Sequence, residues 1–405
     1  MGKAKPTRND INFMRLCSAL AMRGRPSPNP FVGALIVYDG KVVGEGYHKA
    51  AGLHHAEVEA ILDVKRRYGP KQAAYLLARS TLYVNLEPCN HHGKQPPCTK
   101  AIIKAKIPQV VFAMKDPNPN VRGGGEAALR QAGVEVRSDV LQEEARAINA
   151  PFLHHLKTGR ALITLKMAMS KDGRVASDSK RNRFISSPAS RKLVQSMRSR
   201  CPAIMVGIGT VKADNPRLTC RERGGHDPLR VIIDQHLEID EKARVLADKN
   251  VWLVCAKRGL GKIRDEKKAR LLAKGYTIIP APVRPDGLLD LDPLLVQLAK
   301  HGIDHILLEG GPGLAQDMIE HKLVDGIVLF KSPKRVGEVP LNLGMAKAIQ
   351  TIQRAAKAGN VCSFKPEKGP DHIEISEVAG KMQTRINHTA RHRPRHSFWT
   401  IFFRA

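Results

Sequence analysis

The sequence predicts a two-domain α/β protein, and three observations carry that expectation. The chain has 405 residues, enough for two domains with separate cores. Apolar residues make up 42% of it, so most of the chain is expected to fold. Short apolar runs alternate with helical periodicity along most of its length, the pattern of strand layers covered by helices.

The first domain is expected over 1–150. A helix over 9–23 carries Ile11, Met14, Cys17 and Ala21 at inward spacing. Two apolar runs, 31–38 and 41–47, are split by Asp39-Gly40, a hairpin signal. A helix follows over about 55–68. Then come a strand at 81–85, a helix at 98–105, a strand at 109–113, a helix at 125–132 and a strand at 134–137. These elements make one α/β layer with a mixed sheet.

Residues 143–159 read as a partly helical connector, and a second domain is expected over 160–380. Its strands are placed at 162–168, 203–206, 229–234, 251–254, 276–279, 305–309 and 325–330, with helical segments between several of them. That order suggests a mainly parallel sheet covered on both faces. The last segment, 381–405, is a basic, His-rich tail expected to be disordered.

Composition narrows the function classes. Seven scattered cysteines argue against a disulfide framework and for a reducing compartment. No apolar run is long enough to span a membrane, and the polar start lacks a signal-peptide core. A cytoplasmic protein is therefore expected. The net charge of +29 is only partly in the tail, which holds six of the 67 Lys and Arg and no acid. A diffuse positive field attracts phosphorylated small molecules and nucleic acid alike.

Two short runs carry the chemistry: His55-Ala56-Glu57, and Pro88-Cys89 followed by Cys98. One imidazole and two thiolates suit zinc, one ion per chain, with a fourth position left open. Glu57, two residues from a ligand, can shuttle protons beside it. The pattern matches the signature of zinc nucleobase deaminases, except that eight residues separate the cysteines where two are usual. The competing reading is a zinc that staples loops, with a fourth ligand from His54, His91 or His92. Both ligand loops fall where a helix is expected to begin, which favours ionised thiolates.

The runs Ser27-Pro28-Asn29-Pro30-Phe31-Val32-Gly33, Gly44-Glu45-Gly46-Tyr47-His48, His55-Ala56-Glu57-Val58, and Leu86-Glu87-Pro88-Cys89 through Cys98 resemble the deaminase half of the bifunctional riboflavin-biosynthesis family. Asp116-Pro117-Asn118-Pro119 matches too, and the long Cys-to-Cys loop is that family's variant. The resemblance spans about 9–136. It implies a cytidine-deaminase-like fold and a substrate, a diaminopyrimidinone carrying a ribosylamino 5-phosphate, that loses its 2-amino group by hydrolysis. It implies substrate contacts at Asn29, His48, His91 and Lys94. Read as bare residues, Asn29 can equally shape a Pro-rich turn, and His48 can be a satisfied histidine at a strand end.

In the second domain the strongest signal is Ile306 to Ala315, a strand running through Glu309-Gly310-Gly311 into a helix. Such turns can cradle phosphate with backbone amides, though this is not the spaced Rossmann glycine fingerprint. Lys166 to Arg174, Ile185-Ser186-Ser187-Pro188, Gly209-Thr210-Val211, Ala213 to Thr219 and Glu309 to Pro312 resemble the same family's reductase half. That resemblance covers about 160–380 and implies a dihydrofolate-reductase-like fold using NADPH. The implied reaction delivers hydride to the ribose anomeric carbon and opens the sugar to a ribityl chain. Implied cofactor contacts are Met169, Phe184, Thr210, Asp214, Gln235, Gly311, Pro312, Gly313, Leu314, Ala315, Gln316 and Asp317. Implied substrate contacts are Asn182, Arg198, Leu218, Arg221 and Glu309. The chain departs at 180–185, where the family usually has a Gly, a Ser and a Trp, so Phe184 keeps an aromatic face without an indole donor. Gln235 replaces a usual small hydroxyl residue.

The leading expectation is thus a two-step riboflavin-biosynthesis enzyme acting on a phosphorylated pyrimidine, as a homo-oligomer. Three alternatives stay open. One is the same enzyme with an inactive reductase half. Another is a deaminase of bases within RNA, with salt-dependent affinity. The third is a zinc-stapled scaffold, whose function would survive loss of Glu57.

Overall fold

The computed structural model describes residues 6–93, 95–118, 124–171, 187–258, 261–333, 335, 350, 360–364 and 372–377. It divides into two compact units between Thr158 and Gly159, each with its own core.

In the first unit the elements are α1 Arg8–Ala21, β1 Gly33–Tyr38, β2 Lys41–Tyr47, α2 Ala56–Leu77, β3 Thr81–Leu86, α3 Cys98–Lys104, β4 Gln109–Met114, α4 Gly125–Gln131, β5 Glu135–Arg137, α5 Gln142–Ile148 and α6 Ala150–Thr158. A capping box starts α1, where Thr7 and Asp10 exchange side-chain and backbone bonds. The sheet order is β2-β1-β3-β4-β5. β1 is antiparallel to both neighbours, and β3, β4 and β5 are parallel, which makes the expected mixed sheet. Asp39 and Gly40 turn the β1–β2 hairpin with positive φ, as the dipeptide signals.

Three boundaries differ from the sequence reading, each for a physical reason. β1 begins at Gly33 rather than Phe31. The Phe31 amide donates to Asn149 Oδ1 at 2.7 Å, and its carbonyl accepts from Asn85 Nδ2 at 2.9 Å, so no strand partner is needed there. The helix expected to end at Tyr68 breaks at Gly69 (φ 70°), and Pro70 opens a further helical segment that runs to Leu77. The connector is helical almost throughout, as α5 and α6.

In the second unit the elements are β6 Leu162–Met169, α7 Pro188–Arg200, β7 Ala203–Gly207, α8 Ile208–Asp214, β8 Leu229–Ile233, β9 Val251–Ala256, α9 Lys262–Ala273, β10 Thr277–Ala281, α10 Leu291–Lys300, β11 His305–Leu308, α11 Pro312–Glu320, β12 Gly326–Lys331, β13 Asn360–Phe364 and β14 His372–Glu377. All seven expected strands are present. The sheet order is β10-β9-β8-β7-β11-β6-β12-β14-β13. The first seven are mutually parallel, and β14 and β13 extend the sheet antiparallel beyond β12. Strand order reverses where β11 returns between β7 and β6. In open α/β sheets the crevice at the carboxyl ends of strands beside such a reversal is where ligands bind.

The expected basic tail at 381–405, Lys94, Asn182 and Phe184 lie outside the described residues. Among the described residues no helix is long and apolar enough to cross a membrane.

Candidate functional site

The first unit gathers its chemistry at the openings of two helices. His55 is the N-cap residue of α2, Cys98 is the first residue of α3, and Cys89 follows β3. His55 Nδ1 lies 3.2 Å from Cys98 Sγ and 3.5 Å from Cys89 Sγ. The three donor atoms all fall within 4.8 Å of one another, and both cysteines are buried. The Cys98 amide donates to Cys89 Sγ at 3.4 Å, which favours a thiolate there. The Cys98 thiol adds to that effect and, with His55, outweighs the desolvation of Cys89, holding its thiol down to about 4. Cys98 is correspondingly raised. One imidazole and two closely set sulfurs, one already biased to thiolate, are a donor set that fits zinc.

Glu57 sits in the first turn of α2, 3% exposed. Burial, then the negative charge of Cys89, push its carboxyl up to about 7, against the opposing pull of His55. Close packing puts it there. A Cβ on Gly46 of β2 would lie 2.3 Å from the Ala56 carbonyl oxygen and 2.4 Å from the Ala60 nitrogen, so only glycine lets β2 approach the start of α2 this closely.

Asn29 and His48 adjoin this cluster. Asn29 Nδ2 is 3.1 Å from His48 Nε2, and the His48 ring meets the His55 ring edge-on at 5.4 Å. His91 is half-buried, and its buried Nδ1 has no partner among the described residues.

Sequence reasoning assigned no role to several residues that brace the site. Asn85 and Asn149, both fully buried, together clamp the backbone of 31–33. Asn85 accepts from the Gly33 amide at 2.8 Å, and Asn149 also donates to the Phe31 carbonyl at 3.2 Å. Glu87 accepts from the Glu126 amide at 2.9 Å and the Asp116 amide at 3.3 Å, tying the turn after β4 and the start of α4 to the Cys89 loop. A buried Glu one residue from Pro88-Cys89 is a readable signal. Asn149, in the connector, offers none.

A Cβ on Gly125 would stand 2.0 Å from the Pro88 carbonyl oxygen. Gly125→Ala is therefore expected to displace the Pro88-Cys89 turn and lower bound zinc. Metal analysis of the purified variant checks this, and a full zinc complement would refute it.

In the second unit, predicted residues converge on the carboxyl ends of β7, β11 and β6. Glu309 follows β11 and forms a fork with Arg198 of α7, Nε to Oε1 at 2.7 Å and Nη2 to Oε2 at 2.9 Å. Arg198 Nη1 also donates to the Thr219 carbonyl at 3.2 Å. Lys166 of β6, which the sequence reading left without a role, places Nζ 4.0 Å from Glu309 Oε2. A lysine inside an otherwise apolar strand was the available signal. Burial would raise Glu309, but Arg198, then Lys166 and Arg221, hold its carboxyl below the ordinary range. Burial lowers Lys166 against the pull of Glu309.

The glycine turn lies beside this cluster. Gly311 is the N-cap of α11, Pro312 is in its first turn, and that turn holds no acid. Thr210 Oγ1 lies 3.4 Å from where a Gly311 Cβ would stand, so Thr210 and Gly311 face each other closely. Backbone amides at an acid-free helix start suit a dinucleotide phosphate, and the donor set here fits NADPH. Met169 ends β6, buried. Gly313 and Leu314 continue the first turns of α11.

Other predicted residues are engaged elsewhere. Ala315 is in the core, Gln316 bonds Glu320 at 2.9 Å, and Asp317 pairs with Arg284 at 2.6 Å. Gln235 donates to the Gly287 carbonyl at 2.7 Å. Asp214 ends α8. Leu218 is buried with φ 57°. The Arg221 amide bonds Gln195 Oε1 at 2.8 Å, and its side chain is exposed.

Comparison with known proteins gives the same two halves. Residues 7–114 match the family model for the cytidine and deoxycytidylate deaminase zinc-binding region, and 161–353 match the RibD C-terminal domain. The riboflavin biosynthesis protein RibD of Aquifex aeolicus is 38% identical over 86% of this chain and 93% of its own length. That of Escherichia coli is 35% identical over 89% and 97%. A Thermotoga maritima crystal structure described as a diaminohydroxyphosphoribosylaminopyrimidine deaminase and 5-amino-6-(5-phosphoribosylamino)uracil reductase aligns with a TM-score of 0.74 at 30% identity, covering 91% of this chain and 99% of that one. Acinetobacter baumannii RibD aligns with a TM-score of 0.73 at 29% identity, over 92% and 99%.

Proposed function

Because the chain belongs to the RibD family of bifunctional riboflavin-biosynthesis proteins, it is a zinc-dependent deaminase joined to an NADPH-dependent reductase, and we propose how its residues divide that work. The observation that carries the proposal is the His55, Cys89 and Cys98 cluster with buried Glu57 two residues from its imidazole. His55, Cys89 and Cys98 would hold zinc, which when bound supplies a Lewis acid and an activated water. Glu57 exchanges protons with the ring nitrogen and the leaving amine of a phosphorylated pyrimidine. Its carboxyl, raised by burial, suits a group that must both take and give a proton near neutral pH. The substrate we assign is 2,5-diamino-6-ribosylamino-4(3H)-pyrimidinone 5′-phosphate, which loses its 2-amino group. Asn29, His91 and Lys94 are its proposed contacts.

In the second unit NADPH, when bound, supplies the hydride that opens the ribosyl group to ribityl. The start of α11 with Thr210 and Met169 would hold the cofactor, and we add Asp214 and Phe184 as proposed contacts, while Gln235 is spent on the Gly287 carbonyl. Arg198 is spent on Glu309 and Thr219, so it braces the 219–221 loop. Arg221, exposed on that loop, is the cation left to meet the substrate phosphate. Asn182 and Leu218 would line the substrate. The free cysteines among the described residues support a reducing, cytoplasmic setting. The RNA reading is not favoured, because a reductase unit has no use in it.

Mass spectrometry tests the assignment. Purified protein given freshly made diaminopyrimidinone substrate should exchange an amine for oxygen without NADPH. It should add two hydrogens only with it. Deamination alone would mean that the departures at 180–185 have cost the second activity. No change with zinc bound would overturn the substrate assignment.

A further inference from the structure

Between β10 and α10 the chain turns back on itself, and the residues there are a turn signature. Arg284-Pro285-Asp286-Gly287 places proline second and glycine fourth. The Gly287 amide donates to the Arg284 carbonyl at 3.0 Å, with Gly287 at φ 84°. The Leu288 amide donates to Asp286 Oδ1 at 3.0 Å, and the Arg284 amide donates to the Leu288 carbonyl at 2.7 Å. Val283 bridges Leu289 antiparallel, and the Asp290 amide closes the base on the Pro282 carbonyl at 2.8 Å. The backbone is bonded within the hairpin itself, so the tip keeps its shape and can transmit position from one attachment to another.

That tip is attached at two places. On one side the Gly287 carbonyl accepts from Gln235 Nε2 at 2.7 Å. Gln235 follows β8, and its own carbonyl accepts from the Ala256 amide at 2.9 Å. The buried Asp234 carboxylate beside it takes the Glu238 and Ile239 amides at 2.8 Å each. On the other side Arg284 Nη2 donates to Asp317 Oδ1 of α11 at 2.6 Å, and the two side chains are 12% and 16% exposed. A guanidinium–carboxylate pair largely out of water is directional and little screened. Arg284 also bonds Asp286 at 3.1 Å, but that carboxylate is half exposed and adds little strength. In sheet order β7 lies between β8 and β11, the strand that leads into α11. The hairpin thus joins elements from either side of β7, and its attachments, Gln235 and Asp317, are both positions implied as cofactor contacts. α11 has nine residues and no side-chain cap at Gly311, so an outside tie is what fixes its direction.

We propose that Arg284 is a positioning residue for the reductase step, and that the hairpin of 283–289 is a tie that sets the separation between the turn after β8 and α11, so that NADPH meets a preformed cleft. Arg284 acts without touching the cofactor. Untied, the two walls sample other separations, and the apparent affinity falls in proportion to the fraction of molecules with the cleft formed. The departure at Gln235 has its reason here. A small hydroxyl residue at that position is too short to reach the Gly287 carbonyl, so in this chain the side chain serves the tie instead of the cofactor. This rests on the reductase reading of the second unit and adds how its cleft is held.

The test uses zinc-loaded full-length protein. Arg284→Met should raise Kd and KM for NADPH on the order of tenfold, keep kcat at saturating NADPH within about twofold, and leave deamination without NADPH unchanged. Gln235→Leu, which keeps the bulk and loses the donor, should do the same. The double variant should be no worse than the poorer single, because one tie is cut at both ends. Arg284→Lys, which keeps a cation within reach of Asp317, should regain part of the loss. An Arg284→Met protein that binds NADPH as the wild type does, or that loses kcat with KM unchanged, would refute the tie, as would single effects that multiply. Hydrogen exchange without cofactor separates this from the reductase reading. The amides of Gly287 and Ala315, bonded to the Arg284 and Gly311 carbonyls, should exchange faster in Arg284→Met, and unchanged exchange there would overturn the tie. If the wild-type protein binds no NADPH, the reductase reading falls, while the exchange rates still decide the tie.

Discussion

Glu57→Gln is expected to cut the deaminase turnover by about 10²–10⁴-fold while leaving zinc content and the reductase step intact. The substitution keeps the shape of the side chain and removes only its ability to exchange a proton. Glu57 is buried against Cys98 and the first turn of α2, in a setting that raises its carboxyl to about 7. A structural zinc would ask nothing of such a group. Among the described residues the metal cluster comprises three donors, His55, Cys89 and Cys98, which matches a site that keeps a position for substrate or water. The measurement is amine release without NADPH, beside metal analysis, with the deaminated intermediate supplied separately to the reductase assay. Undiminished deamination in Glu57→Gln would remove the carboxyl from the chemistry. Loss of zinc together with activity would reassign it to the ligand shell.

How far the sequence could see depended on whether a feature is local. His55, Glu57, Cys89 and Cys98 were legible because metal chemistry demands particular side chains, and helix starts place them. The seven parallel strands of the second unit were legible because strands buried on both faces read as unbroken apolar runs. β13 and β14 were not, since short runs of mixed polar and apolar residues blur into loop composition; the alternation at Ile373 and Ile375 was the mark available. Asn149 is the clearest miss. Its function is to bond a backbone 118 residues away, and nothing near it in the chain records that. Arg198 and Glu309 were each legible as family positions, yet their mutual fork across 111 residues was not. Arg198 in isolation suggests a phosphate ligand, and only the fold shows that its donors are already committed. Element ends were misjudged where side chains compete with the strand ladder, as at Phe31, or where a helix break is followed by a second start, as at Gly69-Pro70.

That fork gives the other large effect. Glu309→Gln should destabilise the second unit by about 3–5 kcal/mol, because it strands the largely buried Arg198 guanidinium without its carboxylate. Denaturant unfolding followed in this unit reads the loss, and deamination without NADPH should be unaffected, since the first unit has its own core. Stability and function can then be separated. Arg198→Met with Glu309→Leu replaces the pair by apolar groups of similar size, which is often neutral or stabilising. Lys166, already lowered by burial, can meet the change by shedding its proton. The double variant should therefore regain stability and remain inactive as a reductase, because the 219–221 loop loses its brace and Arg221 its placement. The pH dependence has a definite sign. Glu309 is lowered in the folded protein, so its stabilisation is full above the ordinary carboxyl range and is lost as pH falls through its depressed value. That acid limb should vanish in the double variant. A double variant that regains reductase activity along with stability would show the fork to be a scaffold alone. One that stays unstable would show that the packing around it, and not the charges, holds the unit together.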